Sequence, residues 1–504
     1  MRVRFLLAAA SVAALTSSSA EAALVISGKA TANVSCASGV CTATAKHANL
    51  NGDELAAMLA DGDVTVASGA MAKDIEVRVP PKLTWDSAHR LGLDAFRAIT
   101  VSHEIFYAGN GGGMDLKTND GGHGGALNFE DHGFIVINVN AGTLTIDGAS
   151  YALIHGIGAL AAAILAHPDG RFALSGPYDA APDGTYTSAP VATAFAGRLE
   201  GLGNTIQHLR INVQPQTKNV GLFDTIDGGT VSHLRLAAAR VRGGKSSEIG
   251  TLAGACNGTI DHVSVVGGQV LGDLGSQMGG VCGALNGGTL SDAHSSAAVT
   301  GTGGRKRSGQ GYAGGLVGTV TAGLVVNSSA SGTVEAGKFL VAGGLVADNL
   351  GAIRTSFASG AVLAGDGGTA GGLVGRNAGT SILDCYANGT VQGGVDSTVG
   401  GLLGTNNGPV VTSYSAGPVA SGSGNAVGGF VGNDQGEPDL TQDYWDIDTS
   451  GQSHGAGNDT ADPGITGLTH AQFQSGLPTG FDPAVWGQDP AINDGLPYLL
   501  AVKP

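Results

Sequence analysis

The sequence predicts an all-β protein that folds as a right-handed parallel β-helix, a solenoid of stacked coils, and three observations carry that prediction. A short motif recurs at a fixed interval, glycine is abundant, and charged residues are few. Glycine accounts for 87 of 504 residues, and 13% of residues are charged against 42% hydrophobic. This apolar content argues against disorder. The glycines are therefore expected at tight corners that recur along the chain.

The repeated motif is a pair of glycines followed by two apolar residues and a small residue. Its clear copies are separated by 29, 28, 29 and 28 residues, and they begin at Gly314, Gly343, Gly371, Gly400 and Gly428. Weaker copies that begin at Val220, Gly250 and Gly279 bring the number to eight. A strand of a few residues cannot bury itself, but it pairs along its whole backbone when stacked on an identical copy. The interval predicts coils of ~28–29 residues, and parallel crossovers are right-handed.

The first segment, residues 1–22, is predicted to be a signal peptide. Arg2 and Arg4 precede an uncharged apolar run, and Ala20-Glu21-Ala22 has the small-x-small pattern that signal peptidase cleaves. No later apolar run is long enough for a membrane span, which needs about 20 residues. We therefore expect a secreted or surface-exposed protein without a transmembrane segment, whose means of export or attachment the sequence does not identify.

Three further segments follow from changes in composition. Residues 23–194 are predicted to be a β-rich region with short helices near 51–60 and 156–165. Residues 195–436 hold the repeats. Residues 437–504 contain two of the three tryptophans, and we predict that they cap the last coil, whose open edge would otherwise promote aggregation.

The repeat Gly-Gly-Leu-Val-Gly, followed by Asn-x-Gly and by Ser-Tyr-Ala-x-Gly-x-Val, resembles the GLUG motif of bacterial surface proteins. That motif occurs in filamentous-haemagglutinin-like adhesins and beside the peptidase domain of some immunoglobulin A peptidases. The resemblance covers residues 195–434. It implies a surface or secreted binding role and does not identify a ligand.

No catalytic or cofactor motif stands out, so we predict an adhesin-like binding or structural protein without catalytic activity and without a cofactor. Glycans or other surface polymers are the expected partners, because long repetitive faces suit multivalent contact. The net charge of −16 argues against nucleic acid. One alternative is a carbohydrate-active β-helix enzyme, a polysaccharide lyase or glycosidase, for which Asp366 and Asp396 are the nearest pair of acids. Another is a passive coat protein.

Three sets of residues are candidate sites. Phe357, Tyr386 and Tyr414 recur in one position of successive repeats, where an exposed ladder of rings would stack on sugars and an inward one would be core. His208, His233 and His262 each follow a Thr-Ile/Val-x pattern, so stacked imidazoles could bind a transition metal. Cys36 and Cys41 are close enough in sequence to form a disulfide in an oxidising compartment. The sequence leaves open whether the histidines form a metal site or only a polar ladder.

Overall fold

The chain forms a right-handed parallel β-solenoid of about 13 coils, each about 29 residues long, so the predicted fold class is confirmed. The structure is a computed structural model, and it describes residues 22–122, 124–130, 133–214, 218–304, 310–423, 426–436, 440–458 and 462–504. The predicted signal peptide lies outside the described residues except for Ala22. Among the described residues, none of the helices has the length and apolar character needed to cross a bilayer.

In the repeats, each coil contributes strands to three faces, and strands of successive coils pair in parallel. Eight strands form the first face: Arg210–Asn212, Arg240–Gly243, Gln269–Gly272, Ala298–Gly301, Val334–Ala336, Val362–Ala364, Val391–Gly393 and Val419–Ser421. Eight form the second face: Asn219–Val220, Glu248–Gly250, Gln277–Gly279, Tyr312–Gly314, Val341–Gly343, Thr369–Gly371, Thr398–Gly400 and Ala426–Gly428.

The third face is bent at a corner, and it carries the candidate site. Its strands are Ala149–Ile154, Arg171–Leu174, Tyr178–Asp179, Arg198–Glu200, Thr205–Gln207, Phe223–Ala237, Ala253–Val266, Cys282–Ser291, His294–Ser295, Val317–Val320, Leu324–Val326, Ser329–Ala330, Val346–Asn349, Ala352–Arg354, Phe357–Ala358, Val374–Asn377, Ser381–Leu383, Tyr386–Ala387, Leu403–Asn406, Val410–Val411, Tyr414–Ser415, Val431–Asp434, Leu440–Thr441, Asp443–Asp446 and Ile465–Leu468.

The solenoid also extends through the N-terminal region. Its strands there are Ala23–Ser27, Val34–Ala37, Val40–Ala43, Ala48–Asn51, Val64–Ala67, Asp74–Arg78, Lys82–Trp85, Arg90–Asp94, Ile99–Val101, Glu104–Tyr107, Gly113–Lys117, Leu127–Phe129, Ile135–Ile137 and Thr143–Ile146. Most of these strands pair in parallel, and Val34–Ala37 forms a hairpin with Val40–Ala43. One buried cluster fills the coils from Leu24 to Leu144, and a second fills those from Ile154 to Ile465.

Short helices interrupt the coils at a few corners. The helices are Gly52–Asp61, Gly69–Ala72, Ile157–Ala166, Ile447–Ser450 and His470–Gln474, with 3-10 turns at Ala181–Asp183 and Asn493–Gly495. The first begins where the Asn51 side chain accepts hydrogen bonds from the backbone N–H groups of Asp53 and Glu54, which is the usual capping chemistry of asparagine. Both helices predicted from the sequence are present within one or two residues.

The Gly-Gly pair of each repeat is required by close backbone approach. A Cβ added to Gly343 would lie 1.9 Å from the carbonyl oxygen of Val346, and one added to Gly344 would lie 1.9 Å from that of Gly372 in the next coil. No side chain fits at either distance. The pair therefore lets each coil turn tightly and the next coil stack directly on it.

Buried polar side chains at the corners hydrogen-bond to one another from coil to coil and so form ladders. The side chain of Asn349 donates to that of Asn377 at 2.9 Å, and Asn377 donates to Asn406 at 2.8 Å. Asn406 in turn donates to Asp434 at 3.0 Å. All four residues are buried. Asn377 and Asn406 thus each accept from the coil before and donate to the coil after, so that the buried polar groups hold the coils in register.

Candidate histidine–carboxylate site

The candidate site lies on the third face, in the column of corner residues where the chain bends. His233, His262, Asp292 and Asn327 occupy this column in successive coils, and their φ angles lie between 48° and 51°. This left-handed conformation is uncommon for residues other than glycine, and Asn, Asp and His tolerate it best. The fold therefore selects polar side chains at this corner, and two of them here are histidines.

Glu200 holds the first of these histidines. The Nδ1 atom of His233 lies 3.0 Å from Oε1 of Glu200, and both side chains are about one-tenth exposed. The Ser232 hydroxyl donates to Oε2 of Glu200 at 2.8 Å, and the backbone N–H of Leu202 donates to Oε1 at 2.9 Å. The carboxylate is thus fixed by three partners, and within the described part of the chain Nε2 of His233 has no hydrogen-bond partner.

Asp261 holds the second histidine. The Nδ1 atom of His262 lies 3.0 Å from Oδ2 of Asp261, and the Ser291 hydroxyl donates to Oδ1 of Asp261 at 2.6 Å. Burial of the Asp261 carboxyl opposes ionisation, but the hydrogen bonds from His262 and Ser291 outweigh it and lower the pKa of Asp261. The hydrogen bond to Asp261 raises the pKa of His262 despite its partial burial.

These groups converge on a single point. One ligand atom each from His233, Asp261 and His262 can be chosen so that all lie within 4.8 Å of one another. The two imidazole rings are 5.1 Å apart between centroids and tilted by 33°. Two imidazoles and a carboxylate at this separation form a set that could hold a transition-metal ion. Glu200 fixes His233 from behind through its Nδ1 atom.

Two cavities reach the cluster, and His233 lines both of them. The larger, of about 390 Å³, is lined by His233, Glu200 and Asp261 together with residues of the N-terminal coils such as Tyr151. The smaller, of about 130 Å³, is lined by His233 and His262, among others, and by Phe129. The ring of Phe129 meets that of His233 edge-on, with 5.3 Å between centroids. Thr118, residues 125–127 and Phe129 therefore form one wall of the site.

The arrangement differs from a serine-nucleophile triad. In such a triad the serine hydroxyl is hydrogen-bonded to the imidazole that removes its proton. Here Ser232 and Ser291 donate to carboxylates instead. The free His233 nitrogen, buried beside two cavities, suits a metal ligand or an acid–base group.

The predicted stack of three histidines is wrong in one member. Thr205–Gln207 pairs in register with residues 235–237, which places His208 opposite Ala238 rather than opposite His233. Its Nδ1 atom lies 2.9 Å from Oδ1 of Asp179 in an exposed pair. The interval from His208 to His233 is 25 residues, which is shorter than one coil. His208 therefore lies at a different corner of the coil from His233.

The predicted ring ladder exists, but it is not an exposed ligand surface. Phe357, Tyr386 and Tyr414 stack with centroid distances of 4.8 and 5.1 Å, and all three side chains are buried. Phe473, Phe481 and Trp486 of the C-terminal segment cover them. The prediction of ligand binding at these rings is therefore corrected, because the rings face outward from the coils but are sealed by a later part of the chain.

The other candidates divide between structural and surface roles. Cys36 and Cys41 form a disulfide, and so do Cys256 and Cys282, which lie on adjacent coils. Asp366 forms a 2.8 Å ion pair with Lys338 on the surface. The acid pair of the alternative prediction, Asp366 and Asp396, therefore does not form an enclosed site.

Sequence reasoning did not identify Glu200 or Asp261 as members of the site. Both occupy the position just before the corner, in a column that continues as Ser232 and Ser291. When that position is aligned coil by coil, acid and serine alternate. This alternation is the sequence signal that could have identified the two acids. Glu200 lies 33 residues before His233, which is longer than one regular coil and hides the relation.

Two segments of the repeat region match a known protein motif. The model of the GLUG motif matches residues 309–335 and 366–392. The chain contains GLUG repeats. A search of curated proteins finds no match. The GLUG coils lie on the C-terminal side of the histidine–carboxylate cluster, so the motif itself does not include His233 or His262.

Two solved structures are similar in fold. A putative immunoglobulin A1 protease from Bacteroides ovatus is 16% identical with a TM-score of 0.39, and the match covers 70% of this chain and 93% of that one. A structure named IgA1 Protease is 17% identical with a TM-score of 0.42, and the match covers 55% of this chain and 23% of that one. The protease names of both neighbours contradict the predicted adhesin-like protein without catalytic activity, and we withdraw that prediction.

Proposed function

We propose that this chain is an exported hydrolase that holds a zinc ion between His233, Asp261 and His262. The observation that carries the proposal is the convergence of three ligand atoms within 4.8 Å beside two cavities. Zinc is bound by imidazole nitrogens and carboxylate oxygens, and catalytic zinc sites use three protein ligands and leave a position open. A zinc ion held by these residues would lower the pKa of bound water and would polarise the bond to be cleaved.

Each neighbouring residue of this chain has a part in the proposal. Glu200 accepts a hydrogen bond from Nδ1–H of His233 and so fixes the tautomer in which Nε2 is a ligand, as carboxylates commonly do for zinc-binding histidines. Ser291 orients Asp261. Phe129 packs against the His233 ring and limits the access of bulk water to it.

Export is supported by two further features. GLUG repeats are typical of surface proteins, and two segments of this chain, residues 309–335 and 366–392, match that motif. Disulfides such as Cys256–Cys282 form in oxidising compartments outside the cytoplasm.

The test begins with metal binding by the protein from Ala23 onward, freed of metal with a chelator. We expect isothermal titration with zinc chloride to give one site per chain. His233→Ala and His262→Ala should weaken zinc binding by more than about 100-fold. This is a larger loss than is expected for a residue that only hydrogen-bonds a zinc ligand. His208→Ala is the matched control, because His208 pairs with Asp179 at 2.9 Å and belongs to no cluster of three possible metal ligands among the described residues. Unchanged binding in His233→Ala would refute the site.

Hydrolysis is measured separately by mass spectrometry of proteins and polysaccharides incubated with the zinc-loaded protein. We expect soluble fragments that disappear with chelator and return with zinc, and that His233→Ala does not produce. Zinc binding without chelator-sensitive cleavage of any polymer would contradict the assignment as a hydrolase.

A further inference from the structure

Two of the residues that line the larger cavity are arginines. Arg171 and Arg198 lie directly opposite each other on adjacent parallel strands, and both line the cavity that contains Glu200 and His233. Adjacent strands are about 4.8 Å apart. Both side chains are exposed, and among the described residues no carboxylate forms an ion pair with either one. Two like charges at this spacing are unfavourable unless an anion lies between them.

The arginine column continues as a strip of hydroxyl groups. Arg198 is followed in register by Thr230, Thr259 and Thr289 on the next three coils. The strip runs beside the column that holds Glu200 and Asp261. Together, the two arginines and the three threonines extend over roughly 20 Å at the strand spacing. A basic end and a hydroxyl-bearing run beside the candidate site suit a linear polymer that carries both negative charges and hydroxyl groups.

Tyr151 adds an aromatic surface to the same cavity. Its ring lines the cavity beside the two arginines. Burial raises the pKa of Tyr151, with a further contribution from Glu200 and an opposing one from the arginines. The phenol is therefore a neutral hydroxyl next to the cationic pair. A half-buried tyrosine of this kind offers one face for a sugar ring.

Backbone pairing favours a polysaccharide over a polypeptide. Extended peptides are commonly recognised by adding a strand to an exposed sheet edge. The strand Arg198–Glu200 has no such edge, because it pairs with Arg171–Leu174 on one side and with Phe223–Ala237 on the other. A ligand in this cavity meets side chains rather than free backbone groups.

We infer that the substrate of this site is an acidic polysaccharide whose carboxylates bind Arg171 and Arg198. The inference rests on the proposed hydrolase and names its class of substrate. Arginine suits this task because its planar guanidinium binds a carboxylate through two parallel hydrogen bonds. The two arginines hold the polymer on the rim, and the adjacent sugar reaches Glu200 and His233.

Binding is measured by isothermal titration with polygalacturonate, alginate and hyaluronate, in the presence of chelator so that the zinc site plays no part. We expect binding of at least one polymer that weakens with added salt. The double variant Arg171→Ala/Arg198→Ala should bind at least tenfold more weakly. The matched control is Arg210→Ala/Arg240→Ala, which removes another pair of arginines that lie opposite each other away from this cavity.

Four outcomes would overturn the inference. They are no binding of any of the three polymers, equal losses in both double variants, binding of methyl-esterified polygalacturonate as tight as that of the free acid, or tighter binding of poly-glutamate. The last would make the substrate a polypeptide. Because the zinc titration and the chelated binding assay are independent, loss of the zinc site would leave a positive polysaccharide result intact, and the reverse also holds.

Discussion

Two ends of the corner column have the same backbone conformation and differ in the part of the chain that covers them. At His233 and His262 the column opens onto two cavities. Several coils later the same column reaches Asp384, whose φ of 53° is close to the 49° of His233. There Oδ1 of Asp384 accepts from Trp486 Nε1 at 3.1 Å and from the Thr412 hydroxyl at 2.6 Å. The repeat sets the geometry of a polar corner, and the segment packed over it decides whether that corner can meet a ligand.

The largest effect is expected at the covered end. Trp486→Ala removes a buried ring that contacts Tyr386, Tyr414 and Phe481. We expect a loss of about 3–5 kcal/mol in the free energy of unfolding, measured by urea denaturation followed by circular dichroism, with zinc affinity unchanged. Phe106→Ala, which truncates a half-buried ring elsewhere, should cost clearly less. Weakened zinc binding in Trp486→Ala would show that the two ends are not independent.

At the open end, Glu200→Gln tests the orientation of His233. The amide keeps the size of the side chain but loses the charge that holds Nδ1–H, so zinc affinity should fall by about 10- to 100-fold. Asp179→Asn, which alters the carboxylate beside His208, should leave it unchanged. Isothermal titration gives both values. An equal effect of the two substitutions would mean that the measurement reports overall charge only.

The regular coils between the two ends depend on close approach of their backbones. Gly344→Ala places a Cβ 1.9 Å from the carbonyl oxygen of Gly372, and the coils must separate to relieve the overlap. We expect a loss of about 1–3 kcal/mol in urea denaturation. Gly158→Ala is the control, because its added Cβ meets nothing within 4 Å inside the helix Ile157–Ala166. That substitution should stabilise the protein by about 0.5–1 kcal/mol.

The smallest expected effect is a pH dependence at Asp434, where the ladder of buried asparagines ends in an acid. Burial, with a contribution from Asp462, raises the pKa of Asp434 to about 6. The folded state then binds more protons than the unfolded state between pH ~4 and 6, so this group lowers stability as pH rises through that window. Asp434→Asn should be more stable than the wild type above pH 6, by about 1 kcal/mol.

Thermal or urea unfolding at pH 4 and pH 7 measures this difference. Asp366→Asn, which changes an acid on the surface, should show no comparable gain at pH 7. If Asp434→Asn is less stable than the wild type at pH 7, the ionised carboxylate supports the end of the ladder, contrary to this prediction.

The sequence predicted the parts of the fold that depend on local, repeated requirements. The glycine pairs recur because backbone contacts recur, and the helix at Gly52–Asp61 follows from Asn51 and the residues after it. The N-terminal coils were harder to predict as solenoid, because their corners vary in length and no motif repeats there. The sealing of Tyr386 and Tyr414 could not be read from their spacing, since it depends on residues 473–486 folding back over them.

The site itself was predicted in part. His233 and His262 share the corner column because 29 residues separate them. His208 does not, and the shorter interval of 25 residues already conflicted with the coil length. Glu200 and Asp261 were missed because a carboxylate gains its role only from the histidine on the next or the same coil.

The disulfide between Cys256 and Cys282 has a mechanical consequence. The two cysteines are 26 residues apart in sequence and join neighbouring coils. A pulling force on the C-terminal end would peel coils away one after another, each releasing an extensible length of chain. At this bond the released length would be about 90 Å shorter than for an unlinked chain. The disulfide closes a loop of 26 residues, and an extended residue spans about 3.5 Å. The coil that carries Asp261 and His262 lies inside the linked loop, so a force on the distal coils would pass through the disulfide and not along the backbone of that coil.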